Sequence, residues 1–570
     1  MRKVNESLKR RNSIIAGGLS LSVLFILFQS IRYVTPSWPL SGEPSTGLKF
    51  GMILLFILFG ALIGLGFFVL CTRQLSISQS KRMAASRLLH NQPSDLNYYW
   101  MTVLILFLAW LPVFLAYYPG IYAYDVAGQV PMHYGDFTNW HPLIHTLYLK
   151  FFYDVLGNGL FHNYTIGVAI GTIVQMILFA MQLAWIMVML RRLRTFRPLR
   201  IFWLLFLMFM PFVSVMAVSM TKDVLFSGFF ICVLCQVIQI LLDPHWISRR
   251  RNQVIFVLSL TGMMLFRNTG QYVLIGFLLI GGFIWLRQKK KRVVLLMVLS
   301  LLLGWATDFV LIEATQAGRM KYNDAYSVPI QQIASVALDK EDELPSKLRR
   351  EIKYLIPDYS SFFPYSSDPI RPSSKLVSKH KSEYLSVYFQ LLFRYPAQMV
   401  SSFLLLTQAY WYFPDTSLIK IYHSPDGKEG FGYFQTYTAE GFELESKSLL
   451  PGLKDFYEHL FQYPDYAYLS NPILSVISSP ALYIWLFLFC LIAAMVCKNQ
   501  TACLPLILCL LMTGTIFLGP CALVRYSLPM MIAAPIFLEI TFYNALRMPR
   551  RRKKVVHKAE SVNSVNSAAI

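Results

Sequence analysis

Charge is scarce in this chain. Asp, Glu, Lys and Arg make up 14% of its 570 residues, against about 25% in ordinary soluble domains. Acid is scarcer still outside one stretch: 19 of the 30 Asp and Glu fall between residues 313 and 472. That shortage excludes a soluble enzyme and a charged, disordered chain, both of which need polar surface to remain in water. Cysteine is sparse too. None of the eight lies in 313–472, and only Cys521 falls in a segment expected to face outward, so no disulfide framework is expected. Cys232 and Cys235 have CxxC spacing but sit within an apolar run, where core packing explains them better than redox work. The alternating segments of about ten residues that build a membrane β-barrel are missing, and no repeat of about 20–50 residues recurs.

Apolar sequence fills the space that charge leaves. The chain is 55% hydrophobic and 15% aromatic, with 43 Phe and 32 Tyr, and its mean hydropathy is +0.48. The apolar runs are unbroken for about 17–25 residues, the length of a bilayer-spanning helix. They predict twelve spans, at 14–32, 49–71, 99–118, 164–190, 201–220, 223–242, 253–266, 270–286, 293–312, 473–497, 502–519 and 527–546. The seventh and eighth are short and, split by Phe266-Arg267-Asn268-Thr269-Gly270, are also compatible with one broken helix. The first run is too long for a signal-peptide core and no small-residue cleavage site follows, so it is read as a retained helix.

The net charge of +22 is explained by where the cations fall. With the N-terminus inside and the spans alternating, 30 Lys and Arg lie in inner segments and six in short outer ones. This asymmetry is the positive-inside pattern. It reads as membrane orientation, not nucleic-acid binding, and places both termini in the cytoplasm. The expected fold is an all-α polytopic membrane protein of about twelve helices with one extracytoplasmic domain of mixed α/β structure. Residues 1–312 form the first membrane part, with a large outer loop at 119–163; 313–472 form the outer domain, 473–546 the last helices and 547–570 a basic tail. Within the outer domain, 345–355 and 381–412 have amphipathic spacing, Ser424-Pro425-Asp426-Gly427 marks a hairpin turn, and Phe403 to Phe413 suits the membrane surface.

Charged groups near a bilayer are costly and tend to serve function. In the first outer loop, Asp125 follows Tyr118-Pro119-Gly120 and Tyr124; it suits either a helix cap or a reacting carboxylate. His141 and His145 are four apart and would share one helix face, compatible with packing, substrate hydrogen bonding or a metal. Lys222-Asp223, Arg267-Asn268 and Arg525-Tyr526 each fall at an outer helix end. Lys222 and Asp223 also read as a self-neutralising pair. The three cations either anchor helices to headgroups or hold an anion such as a phosphate.

Taken in order, Tyr118-Pro119-Gly120, Tyr124-Asp125, Gln129, His141-Pro142, His145-Thr146, Lys222-Asp223, Arg267-Asn268 and Arg525-Tyr526 with Pro529 resemble the GT-C superfamily of polytopic glycosyltransferases, and most closely an uncharacterised Gram-positive bacterial family within it. Tyr326 to Ala334 and Ser367-Asp368-Pro369 extend the likeness into the outer domain. The resemblance implies sugar transfer, with inversion, from a polyprenyl-phosphate carrier to a cell-envelope glycan or polymer on the outer face of the cell membrane. Asp125 would be the base and Lys222, Arg267 and Arg525 the contacts to the donor phosphate. Tyr124, Gln129, His141, His145, Asp223, Asn268 and Tyr526 would position substrate. Many members carry an acidic pair in the first outer loop, whereas Asp125 has no adjacent carboxylate; the cofactor stays open, a divalent ion such as Mg or Mn included. A transporter or flippase of lipid-linked glycans, which would carry mid-membrane charge and repeat symmetry, is the main alternative. A polymerase or ligase of such glycans is a nearer one.

Overall fold

A computed structural model describes residues 2–34, 46–78, 93–122, 125–130, 132, 136–318, 324–412, 447–461, 465 and 467–543. Described residues are helical throughout, with isolated bridges and no strand among them. The membrane part comprises α1 (Arg2–Val34), α2 (Thr46–Ser78), α3 (Pro93–Ala116), α4 (Val126–Gln129), α5 (Leu143–Lys150), α6 (Tyr164–Arg192), α7 (Arg197–Phe209), α8 (Pro211–Val218), α9 (Lys222–Leu242), α10 (Arg250–Leu265), α11 (Thr269–Arg287) and α12 (Lys291–Thr315). A second group of helices follows, with α13 (Ser327–Asp339), α14 (Ser346–Leu355), α15 (Ser374–Lys379), α16 (Lys381–Arg394), α17 (Pro396–Leu406) and α18 (Pro451–Phe461). The chain then returns through α19 (Pro472–Ile477), α20 (Pro480–Val496), α21 (Gln500–Phe517) and α22 (Val524–Thr541).

This is an all-α membrane protein. Eight described helices are long and apolar enough to cross a bilayer, or nine if α7 and α8, bent by 49° at Met210-Pro211, count as one span. Twelve spans were expected, and three of those runs fall short of that standard. α10 has 16 residues, about 24 Å of helix against a hydrocarbon core of about 30 Å. The run at 473–497 breaks at Ser478-Ser479-Pro480, leaving 17 residues in α20, because proline supplies no N–H to continue the earlier helix. α22 carries Arg525 and Glu539 and has two prolines inside it. The seventh and eighth runs form two separate helices, α10 and α11.

Burial sorts the bundle. α9 is its axis, 89% buried over its apolar window, whereas α2 is 17% buried and presents Leu54, Leu58, Leu62 and Leu65 outward. In water that face would be untenable; against lipid tails it costs nothing. The segment between α12 and α19 has its own apolar core of Ile330, Ile333, Val336, Leu348, Ile352, Val387, Leu391 and Met399. The amphipathic stretch expected at 381–412 divides at Pro396, which starts α17 from its first turn. From Leu405 through Tyr412, and again at Tyr457, Phe461 and Tyr468, the segment packs into the bundle core instead. The mixed α/β expectation is not met by the described residues, which are helical here; the proposed hairpin at Ser424 to Gly427 and the tail at 547–570 lie outside them.

Candidate functional site

The site begins with a strap after α3. Gly120 has φ +135°, in the left-handed region, and a Cβ there would fall 2.2 Å from Thr172 Oγ1. Only glycine suits both demands. The next residue pairs with the break between α8 and α9: Ile121 N–H donates to the Val218 carbonyl at 3.0 Å, and Met220 N–H donates to the Ile121 carbonyl at 3.0 Å. From α6, Gln175 Nε2 donates to the carbonyls of Ala217 at 3.2 Å and Ser219 at 2.7 Å. These bonds satisfy backbone left open at a helix break, and they set Asp125 beside Lys222 at the start of α9.

Six ionisable side chains then form one connected row. Lys222 Nζ donates to Asp125 Oδ2 and lies 3.2 Å from His141 Nδ1. On its other side, Asp125 accepts from Arg525, Nη1 to Oδ2 at 3.3 Å and Nη2 to Oδ1 at 3.5 Å. Arg525 Nη1 also stands 3.7 Å from Asp223 Oδ2, and Arg267 Nη1 is 2.9 Å from Asp223 Oδ1. Both guanidiniums lie over the Tyr526 ring, Arg267 at 4.4 Å and Arg525 at 5.1 Å, a favourable cation–π arrangement where water is excluded. The three cations predicted at separate helix ends are thus brought together, with Asp125 among them. Lys222 and Asp223 do not neutralise each other; each pairs elsewhere.

Burial of Asp125 favours its neutral acid, but Arg525, Lys222 and His141 outweigh it and hold the carboxyl well below its usual range. His141 is pushed down to about 4, first by burial and then by Lys222. It is neutral near pH 7, with Nδ1 turned to the Lys222 ammonium as an acceptor. Among the described residues of the row, three cations therefore face two carboxylates, one positive charge more than negative.

The remaining predicted residues support this row. Gln129 Nε2 donates to Thr146 Oγ1 at 2.8 Å and its Oε1 lies 3.2 Å from His145 Nδ1. An amide oxygen only accepts, so His145 carries its proton on Nδ1. Gln129 and His145 are buried and clamp α4 to α5 behind Asp125, outside the charged row. His141 and His145 do not converge on one ligand position. Asn268 Nδ2 donates to the Trp140 carbonyl at 3.3 Å, steadying the loop that carries His141. Tyr124 lies outside the described residues.

Two residues escaped the sequence reading. Trp140 stacks on His141 at 5.1 Å and 17°, and the Arg371 guanidinium lies 4.9 Å over the Trp140 ring. Arg371 pairs with Asp368 at 3.2 Å, while Ser367 donates from N (2.8 Å) and Oγ (3.1 Å) to the Pro520 carbonyl just before Arg525. The segment between α12 and α19 is thereby docked on the site. Ser367-Asp368-Pro369 was the available signal, but Arg371 disappeared among the domain's many other cations.

The residues present do not suit a divalent ion. Both carboxylates already carry cations, and among the described residues no group of three or more His, Cys, Asp or Glu could hold a metal. A metal between Asp125 and Asp223 would meet the Arg525 guanidinium. The arrangement suits an anion of low charge.

The chain belongs to a family described as a family of unknown function, DUF6020, which matches residues 129–556. That match takes in His141, Lys222, Asp223, Arg267 and Arg525 and begins four residues after Asp125. No curated protein and no solved structure gives a significant match.

Proposed function

We propose that this protein is a bacterial cell-membrane glycosyltransferase that moves a sugar from a polyprenyl-phosphate carrier to an envelope glycan or polymer on the outer face. The observation that carries this reading is the meeting of Lys222, Arg267 and Arg525 with Asp125 in one partly open cluster. In this mechanism an acceptor hydroxyl attacks the anomeric carbon opposite the phosphate, and the C1–O bond to phosphate breaks. Asp125 accepts the hydroxyl proton. Polyprenyl phosphate departs with the bonding pair, and Lys222 and Arg525 stabilise its added negative charge. In-line attack inverts the anomeric centre. Arg267 and Tyr526 hold Asp223 and Arg525 in place, and Trp140, stacked on His141 and faced by the Arg371 guanidinium, steadies the histidine end of the row. Both termini would be cytoplasmic and the segment 313–472 extracytoplasmic, an arrangement that the 30-to-6 division of basic residues supports.

The test has two stages. Envelope polymers are compared with and without the protein, and purified full-length protein is then given synthetic polyprenyl-phosphate sugars with candidate acceptors. A missing glycan decoration together with transfer in vitro is expected. An unchanged envelope, or transport of intact lipid-linked glycan without any new glycosidic bond, would overturn the reading.

A further inference from the structure

The row poses a problem for its own chemistry. A carboxylate held by an ammonium and a guanidinium is a poor proton acceptor, because both cations stabilise its charged form. The same two cations are the groups that a phosphate would need. Asp125 and an incoming phosphate would therefore compete for Lys222 and Arg525, and cannot both hold them.

The two carboxylates are not equally able to give way. Asp223 is fully buried, sits in the first turn of α9 and is gripped by Arg267 at 2.9 Å. Asp125 is the most open member of the row: 25% of its side chain is exposed, against 13% for Lys222, 12% for Arg267 and 7% for Arg525. It precedes the one-turn helix α4 and makes no capping hydrogen bond there, and among the described residues its carboxylate accepts side-chain hydrogen bonds from Lys222 and Arg525 alone. Among the described residues of the row the cations exceed the carboxylates by one, and a phosphodiester carries one negative charge near neutral pH.

We propose that Asp125 is a built-in stand-in for the donor phosphate: it holds Lys222 and Arg525 while the site is empty, and an arriving phosphodiester takes them over and releases it. This rests on the glycosyltransferase reading for the identity of the ligand and deepens it in one respect. The base becomes available only after the donor has bound, so donor must precede acceptor. In an empty site each of the three cations keeps a carboxylate partner, and no acceptor is deprotonated without a sugar to receive it.

Displacement makes an unusual prediction. A residue that simply lines a binding site weakens binding when it is removed, whereas a stand-in strengthens it. Full-length protein purified in detergent is titrated with dodecyl phosphate and, separately, inorganic phosphate, by calorimetry. Asp125→Asn should bind dodecyl phosphate at least tenfold more tightly than wild type, and Lys222→Met should bind it at least tenfold more weakly. Asp136→Asn, an exposed carboxylate in the same loop, controls for the general loss of a negative charge and should change little. If only dodecyl phosphate shows the gain, the site takes a lipid phosphate; if inorganic phosphate shows it equally, the headgroup suffices, and either result supports displacement. Should Asp125→Asn prove unstable alone, purification in dodecyl phosphate should restore a monodisperse protein, and failure of that rescue counts against the proposal. Equal or weaker binding by Asp125→Asn, or an equal gain from Asp136→Asn, overturns it. Neither sugar nor acceptor enters these titrations. Their failure leaves the transfer reading to its own assay, and tight binding without transfer would sink that reading alone.

Discussion

Replacing Arg525 by Lys keeps the charge and removes the fork. In the native site one guanidinium reaches Asp125 through both terminal nitrogens, at 3.3 and 3.5 Å, and comes within 3.7 Å of Asp223. A Lys ammonium is a point charge that can serve one of these carboxylates but not span both. Asp223 keeps Arg267 at 2.9 Å and Asp125 keeps Lys222, so no bare buried charge is left, a situation that would cost about 3–5 kcal/mol. The loss is then one charge-assisted contact, about 1.5–3 kcal/mol, or about ten- to a hundredfold in the step that the bridge supports. Arg525→Met also removes the excess positive charge and should fall lower. The assay is the initial rate of sugar transfer from a synthetic polyprenyl-phosphate sugar, measured beside the melting temperature of the same preparations. Arg32, which the charge count puts in a different outward segment, is the control for headgroup anchoring: Arg32→Met should leave the rate unchanged. A rate for Arg525→Lys within about twofold of wild type, or an equal loss in Arg32→Met, refutes the reasoning.

Three further outcomes are expected. Gly120→Ala places a methyl group against Thr172 Oγ1 at a backbone angle that L-residues avoid; a loss of about 1–3 kcal/mol from backbone strain alone should appear as a lower melting temperature, which the double variant with Thr172→Ala recovers only in part. His141 has a folded pKa of about 4 against an ordinary 6.5, so the unfolded chain binds the extra proton between those values; its contribution to stability is complete above pH 6.5 and declines as pH falls towards 4, by up to about 3 kcal/mol, and His141→Gln should flatten that part of the melting-temperature profile. Cysteine introduced for Lys340 should react with an impermeant maleimide added outside intact cells and cysteine introduced for Glu560 should not, since the charge division puts them on opposite sides; outside labelling at 560 would reverse the topology and with it the proposed face of action.

Much of the bundle was legible because a lipid-facing helix and a buried helix are both apolar all round, and run length alone reveals them. The runs at 223–242 and 293–312 correspond to Lys222–Leu242 and Lys291–Thr315 within a few residues. Errors arose where an apolar run was long but its backbone was interrupted. Pro480 divides one such run and Pro211 bends another by 49°, because a proline removes a backbone donor without reducing hydropathy. The amphipathic spacing at 345–355 and 381–412 did mark the helices α14 and α16, which bury Ile352 and Leu391 in a helical core, whereas the alternating stretches that suggested strands flank Ser424 to Gly427, outside the described residues.

The site was legible as a set of residues but not as a set of pairs. Chemistry and sidedness singled out Asp125, Lys222, Arg267 and Arg525, yet Asp125 meets Lys222 across 97 residues and Arg525 across 400. Sequence proximity gives the wrong partner in the clearest case. Lys222 and Asp223 are neighbours and read as a self-cancelling pair, but successive residues in a helix point about 100° apart. At the first turn of α9 that angle sends Lys222 towards Asp125 and Asp223 towards Arg267. The same divergence gives Asp125 a partner acid from elsewhere in the chain. Asp125 has no carboxylate beside it in the sequence, and Asp223 becomes its counterpart through the single guanidinium of Arg525. With a fixed cation between the two acids, neutralising them needs no other ion, and the charge left over falls to whichever anion displaces the more exposed of the pair.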